Sequence, residues 1–152
     1  MKPMRQGFII ILLLLLKKIV KKLNYTITII NIYMPNTYAE KQDCWKSLQD
    51  LKHTEYGTNC ILGGDFNTVL KQDKKRRGTV VREIHQKDLE DLLMQSNLFH
   101  VKPSKFKYTW NNKRVGPGHI AARLDRVLAS DILLSTSFTI TSEIRPWCGS
   151  DH

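Results

Sequence analysis

The chain has 152 residues, of which 41% are hydrophobic and 25% are charged, so it has the composition of a single globular domain, and a disordered tail is excluded. Its formal net charge of +10 favours a polyanionic partner, DNA or RNA, although surface Lys and Arg that merely solvate the protein would give the same charge. The three cysteines show no Cys-x-x-Cys spacing, which indicates neither a disulfide framework nor a zinc site.

Residues 1–24 form an apolar and basic segment that is hard to interpret. Phe8 through Leu16 is an unbroken apolar run preceded by Lys2 and Arg5, which is the outline of a signal peptide. No small-residue cleavage site follows, and a membrane span needs ~20 apolar residues. We favour a signal peptide over a membrane helix from these features, and we expect no membrane span.

The next elements alternate as in an α/β or α+β domain. Residues 25–33 are rich in β-branched side chains and predict a core strand. Residues 40–52 predict a helix with three apolar side chains on one face: Trp45, Leu48 and Leu51. Residues 60–62 predict a short buried strand, and the two glycines after it indicate that its backbone is closely approached at that end.

Asp65 and Asn67 come directly after these glycines. If the extended geometry continues, the two side chains project to the same side. A carboxylate that aligns water or holds a metal, beside an amide that donates to a phosphoryl oxygen, suits phosphate-ester hydrolysis.

The second half of the chain predicts one more helix, two strands and a basic loop. The helix spans residues 81–96, with a buried side formed by four apolar residues: Ile84, Leu89, Leu92 and Leu93. The strands cover residues 106–110 and 122–128, and the second carries Asp125, an acid that needs a partner there. The loop offers four cations that either contact a nucleic acid backbone or are merely solvated: Lys74, Lys75, Arg76 and Arg77.

Four segments, in this order, resemble the endonuclease/exonuclease/phosphatase superfamily, which includes DNase I and the exonuclease III type of abasic-site endonuclease. They are Asn31-Ile32-Tyr33-Met34-Pro35-Asn36, Gly64-Asp65-Phe66-Asn67, Arg123-Leu124-Asp125-Arg126-Val127-Leu128 and Ser150-Asp151-His152. With Tyr108-Thr109-Trp110 ahead of the third segment, the chain is most similar to the endonuclease domain of non-LTR retrotransposons. The resemblance implies an α/β (α+β) fold over residues 25–152, a partial four-layer αββα sandwich of the DNase I-like type.

The resemblance also implies a role for each matching residue in metal-dependent nicking of DNA. Asp65 orients or deprotonates the attacking water, and Asn67 binds the scissile phosphate. His152 contacts the same phosphate and is oriented by Asp125, for which Arg123 or Arg126 would be an alternative partner in a salt bridge. Tyr33 donates to the phosphate or to the leaving oxygen.

Asp151 would lie at the metal, which the resemblance implies is Mg²⁺ or Mn²⁺, and Lys113 and Arg114 would contact DNA if they are not simply exposed charges. In the family the main metal-binding glutamate precedes the Tyr-x-Pro-Asn segment, whereas residues 1–30 contain no Asp or Glu. The family also continues past Ser-Asp-His. We therefore expect a truncated nuclease domain that is weak or inactive alone.

Two other functions stay open: a noncatalytic basic fragment that binds nucleic acid, and a phosphatase of small phosphate esters within the same superfamily. Such phosphatases usually carry a Trp-x-Asp-Arg segment where this chain has Arg123-Leu124-Asp125-Arg126. The resemblance offers a third interpretation of residues 8–16, an apolar strand before a basic loop, which we favour over a signal peptide. We accordingly expect an intracellular protein, nuclear or cytoplasmic.

Overall fold

Strands and helices are both present in the part of the chain that the computed structural model describes, which is residues 18–20, 25–54, 58–80, 83–136 and 139–145. The elements are β1 (Lys18–Val20), β2 (Tyr25–Tyr33), α1 (Tyr38–Lys52), β3 (Cys60–Asp65), β4 (Lys75–Arg76), α2 (Glu83–Gln95), β5 (Leu98–His100), β6 (Trp110–Asn111), β7 (Ala121–Ala122), β8 (Asp125–Ser130) and α3 (Asp131–Leu134). None of the helices within these ranges is long and apolar enough to cross a membrane.

Five strands form one sheet in the order β1-β2-β3-β8-β5. The β2–β3 pair is parallel, and the other three pairs are antiparallel. A parallel pair needs a crossover connection, and α1 supplies it between β2 and β3. This arrangement brings the carboxyl ends of β2 and β3 to the same edge of the sheet.

One face of this sheet packs against α1 and α2. In β2 the side chains of Ile30 and Ile32 are buried on that face, whereas Asn31 and Tyr33 are exposed. The core cluster also draws on both helices and the two central strands: Cys44, Trp45, Leu48, Cys60, Leu62, Phe66, Leu89, Leu92 and Leu128. The predicted strand over residues 25–33 and the predicted apolar face of α1 are therefore confirmed.

The predicted buried side of α2 is only partly right. Leu89 and Leu92 are fully buried and Leu93 packs against the core, but Ile84 is 50% exposed. At about 100° per residue, Ile84 lies roughly 140° around the helix from Leu89, so it belongs to another face.

Three two-residue strands form the second sheet, in the order β4-β7-β6, and each of its two ladders is antiparallel. The predicted single strand over residues 122–128 is divided between the two sheets, because the hydroxyl of Thr109 accepts the backbone N–H groups of Leu124 and Asp125 at 3.0 Å each. The predicted strand over residues 106–110 is also shorter, since Phe106 has a left-handed φ of 60° and pairing begins at Trp110.

Candidate active site

Three of the predicted site residues lie side by side at one end of the five-stranded sheet. Tyr33 ends β2, Asp65 ends β3 and Asp125 begins β8. Tyr33 is the register partner of Asp65, and Asp65 is the register partner of Asp125. Directly opposed residues project from the same face of a sheet, so the phenol and both carboxylates share the face opposite the helices. We refer to Tyr33, Asp65 and Asp125 as the polar row.

The members of the polar row differ in their access to solvent. Tyr33 is 67% exposed, whereas Asp65 is only 8% exposed and Asp125 is half-buried. A buried carboxylate needs hydrogen-bond donors, and Oδ1 of Asp65 accepts the backbone N–H of Asn67 at 2.7 Å. The row therefore combines a firmly held carboxylate in its centre with an accessible hydroxyl at one end.

Gly64 allows β2 to approach β3 at this end of the sheet. Its φ is +137°, and a Cβ atom there would lie 2.1 Å from the carbonyl oxygen of Ile32. At Gly63, by contrast, a Cβ atom would meet nothing within 4 Å. The close approach predicted from the two glycines is thus made by a neighbouring strand, and it occurs at the second glycine alone.

Asn67 does not continue the extended geometry of β3, so the condition under which Asp65 and Asn67 would project to the same side of one strand is not met. The backbone of Asn67 is left-handed, with a φ of 45°, because its N–H bends back to Oδ1 of Asp65. Its side-chain Nδ2 donates to the carbonyl oxygen of Met34 at 2.5 Å. This contact still keeps Asn67 at the polar row, since Met34 follows Tyr33 directly.

The two arginines beside Asp125 donate to backbone carbonyl oxygens. Nη2 of Arg126 donates to Thr68 at 2.7 Å and to Arg123 at 3.1 Å, and Nε of Arg123 donates to Lys107 at 2.7 Å. Burial, together with the nearby charge of Arg123, lowers the pKa of Arg126 to about 10, while the charge of Asp125 opposes both effects. His152, the other predicted partner of Asp125, lies outside the described residues, and that pairing stays a prediction.

Hard divalent cations take oxygen ligands, and Mg²⁺ is commonly bound by only one or two carboxylates together with substrate phosphates and water. The polar row offers two such carboxylates, so its donor chemistry fits the ion. No group of three or more His, Cys, Asp or Glu side chains that could hold a metal exists within the described ranges. Asp151, the predicted metal residue, lies outside them.

The six predicted phosphate contacts meet around the three-stranded sheet. Lys74 to Arg77 lie on and beside β4, and Lys113 and Arg114 lie in the loop between β6 and β7. Nη1 of Arg77 donates to the carbonyl oxygen of Gly116 at 2.6 Å, which ties the two basic segments together. We call these six residues the basic patch.

Half of the basic patch is already engaged within the protein. Lys74 pairs with Asp73, Lys75 donates to the carbonyl oxygen of Thr79, and Arg77 holds the neighbouring loop. The other three members of the basic patch, Arg76, Lys113 and Arg114, are exposed, and their side chains make no hydrogen bond or ion pair with any residue the structure describes.

Lys41, a lysine on α1 that is only 4% exposed, also lies at the site and was not predicted from the sequence. Its Nζ donates to the carbonyl oxygen of Asn67 at 2.5 Å and to Oγ1 of Thr68 at 3.1 Å. Burial lowers the pKa of Lys41, and the charges of Asp65 and Asp88 oppose that shift. The available signal was spacing, since Lys41 lies four residues before Trp45 and so shares the apolar face of α1.

Comparison with known proteins settles the relationship that the four motifs suggested. A family model described as endonuclease-reverse transcriptase matches residues 27–152. The chain belongs to this endonuclease-reverse transcriptase family. The match confirms membership of the endonuclease/exonuclease/phosphatase superfamily and the retrotransposon-type assignment.

One curated relative of this family member is the uncharacterized 149 kDa protein of transposon TX1 from Xenopus laevis. The two are 29% identical over 139 residues, which is 88% of this chain and 10% of that protein. The chain therefore spans a small part of its curated relative.

Solved structures confirm the fold class. The endonuclease domain of TRAS1, a telomere-specific non-LTR retrotransposon, matches with a TM-score of 0.53 and 15% identity, over 72% of this chain and 47% of that one. The AP endonuclease LMAP from Leishmania major matches with a TM-score of 0.58 and 16% identity, over 74% and 44% of the two chains. At these identities the likeness shows the fold alone, and this chain spans about half of each solved chain.

Proposed function

We propose that this chain carries part of the active site of a metal-dependent phosphodiesterase that nicks DNA, an activity in keeping with its endonuclease neighbours. The observation that supports this most strongly is the polar row. Two strand ladders with a fixed register hold a hydroxyl and two carboxylates together at one edge of the sheet. Asn67 joins them through its bond to Met34.

Each residue of the site has a distinct task in hydrolysis. Asp65, held by the Asn67 N–H, orients the attacking water and accepts its proton. The amide of Asn67 donates to a phosphoryl oxygen, and the hydroxyl of Tyr33 donates to the phosphate or to the leaving oxygen. Asp125 orients His152, which stabilises the negative charge of the transition state.

Nucleases of this superfamily generally use divalent metals. In this chain Asp151 would hold Mg²⁺ or Mn²⁺, and the bound ion would neutralise charge that develops on the phosphate. Since the chain spans about half of the solved endonuclease domain, we expect lower activity from it than from a whole domain.

DNA binding is assigned to the basic patch. Its three disengaged cations face solvent and so remain available to phosphates: Arg76, Lys113 and Arg114. Phosphate contacts of this kind give affinity without sequence selection. The basic patch therefore supplies binding, while the polar row supplies the chemistry.

The test is nicking of supercoiled plasmid by the purified chain in Mg²⁺ or Mn²⁺. Asp65→Asn removes the negative charge with little change in size, and we expect it to lower the nicking rate by about a thousandfold with unchanged DNA affinity. Asp50→Asn on the exposed side of α1 is the matched control and should keep the wild-type rate.

Two outcomes contradict the proposal. Nicking that survives Asp65→Asn would assign the chemistry to other residues. An inactive wild-type chain whose DNA binding is steeply dependent on salt, and equal in wild type and Asp65→Asn, would identify a noncatalytic nucleic-acid-binding fragment instead.

A further inference from the structure

Lys41 is a charged residue inside the apolar face of α1, and nothing proposed above uses it. Its neighbours on that face, Trp45 and Leu48, belong to the hydrophobic core. Burying an ammonium group carries a desolvation cost, and an apolar side chain of similar size would avoid it. The position of this lysine therefore calls for an explanation beyond core packing.

Both hydrogen bonds of the Lys41 ammonium group end in the turn that carries Asn67. Its Nζ donates to the carbonyl oxygen of Asn67 and to the hydroxyl of Thr68. On the same helix face, the ring of Trp45 stacks on Phe66 with 6.3 Å between centroids. Residues 66–68 are thus fixed against α1 by one apolar and two polar contacts.

A second buried cation holds this turn at the next carbonyl oxygen along the backbone, that of Thr68. Nη2 of Arg126, on β8, donates to the carbonyl oxygen of Thr68 at 2.7 Å. Asn67 needs such support, because its left-handed φ of 45° is unfavourable for a residue other than glycine. Lys41 and Arg126 together oppose relaxation of this backbone.

The charge of Lys41 also acts at the site. It forms no ion pair with any residue in the described ranges, yet it lies near enough to Asp65 and Asp88 for their charges to influence it. This attraction helps to hold Lys41, and with it the Asn67–Thr68 turn, next to Asp65.

We propose that Lys41 is a positioning residue of the nuclease site, whose buried ammonium group holds the Asn67–Thr68 turn so that the Asn67 amide and the Asp65 carboxylate face the same phosphate. This inference rests on the proposed function. A lysine that merely fastened a loop would affect folding alone, whereas a positioning lysine affects the rate of the chemical step.

The test compares two variants. Lys41→Met keeps a long, unbranched side chain but removes the charge, whereas Lys41→Arg keeps the charge. Lys46→Met on the exposed side of α1 is the control. In plasmid nicking, and at equal folded fraction by circular dichroism, Lys41→Met should lower kcat at least tenfold with KM within twofold. Lys41→Arg should recover part of the rate, and Lys46→Met should match wild type.

A second measurement keeps the inference testable if the wild-type chain proves inactive, which would refute the proposed function only. By NMR, the side-chain amide hydrogens of Asn67 should exchange with water at least tenfold faster in Lys41→Met than in wild type and Lys46→Met. Unchanged exchange in Lys41→Met would overturn the positioning role. So would a kcat within twofold of wild type in an active chain.

Discussion

The polar row and the basic patch are built in opposite ways. Tyr33, Asp65 and Asp125 belong to strands of six or nine residues whose long ladders fix their register. The basic patch surrounds a sheet of two-residue strands and is held largely by side-chain bonds to carbonyl oxygens, such as that from Arg77 to Gly116. One region has a geometry set by the core, and the other has a geometry set at the surface.

This difference matches what the two proposed tasks require. Hydrolysis needs reacting groups held to within a fraction of an ångström, so its residues belong on elements that the core fixes. Attraction between cations and a phosphate backbone falls off slowly with distance, so its residues tolerate a looser frame. Substitutions in the two regions should accordingly change different measured quantities.

The largest effect should come from Gly64→Ala, which breaks the frame of the polar row. The new Cβ atom would lie 2.1 Å from the carbonyl oxygen of Ile32, so β2 and β3 must separate. We expect a loss of about 3 kcal/mol or more in the free energy of unfolding, measured by urea titration.

Gly63→Ala is the matched control, because its Cβ atom meets nothing within 4 Å. It should change the free energy of unfolding by less than about 1 kcal/mol. Equal losses in the two variants would show that Gly64 does not set the spacing of the polar row.

A smaller effect, on binding alone, should follow from the double substitution Lys113→Gln and Arg114→Gln. Both side chains are exposed in the β6–β7 loop. If each contacts one phosphate, the slope of log K against log salt should become shallower by about 2, and affinity should fall roughly tenfold. Fluorescence anisotropy with a labelled duplex measures both quantities.

The control for this pair is Lys46→Gln with Lys87→Gln, which removes the same charge from the exposed sides of α1 and α2. It should leave the salt slope of binding nearly unchanged. If the Lys113→Gln and Arg114→Gln pair also lowered the nicking rate at saturating DNA, that result would contradict the proposed division between binding in the basic patch and chemistry in the polar row.

The smallest effect should be a loss of stability in acid that is caused by His100 on β5, the edge strand that pairs with β8. Burial, together with the charges of Arg126, Arg123 and Lys102, lowers the pKa of His100 from 6.5 to about 4. As the pH falls, the unfolded chain binds this proton first, so stability is lost between pH 6.5 and about 4. Allowing for partial solvent screening, we expect a loss of roughly 1 to 2 kcal/mol.

Thermal unfolding at a series of pH values checks this expectation. His100→Gln should remove most of the decline, whereas His53→Gln, at an exposed position, should retain it. A decline that persists in His100→Gln would assign the acid sensitivity to carboxylates instead.

The sequence predicted the strands and helices well where the spacing of apolar residues alone determines the secondary structure. The strand over residues 25–33 and most of both long helices were found, because their apolar spacing also determines what they bury. Ile84 was misassigned because its angle around α2 was not considered. The division of residues 122–128 between two sheets could not be predicted, since it depends on the hydroxyl of Thr109, which is distant in the chain.

For the candidate site, the sequence predicted which residues take part better than it predicted how they are arranged. The motifs identified Tyr33, Asp65, Asn67 and Asp125. The turn at Asn67, however, depends on which acceptor its backbone N–H donates to, and the local sequence does not determine this. Lys41 was missed because its two acceptors, Asn67 and Thr68, become neighbours only in three dimensions. The assignments of Asp151 and His152 stay predictions.

The register of the polar row has a consequence for the order of folding. Tyr33 and Asp65 belong to one local unit, β2-α1-β3, which can form early because its contacts are close in the chain. Asp125 joins only when β8 pairs with β3, a step that must first close the long segment between residues 65 and 125. A chain synthesised only as far as β3 therefore has an incomplete row, and assembly of the three residues waits until β8 has been made.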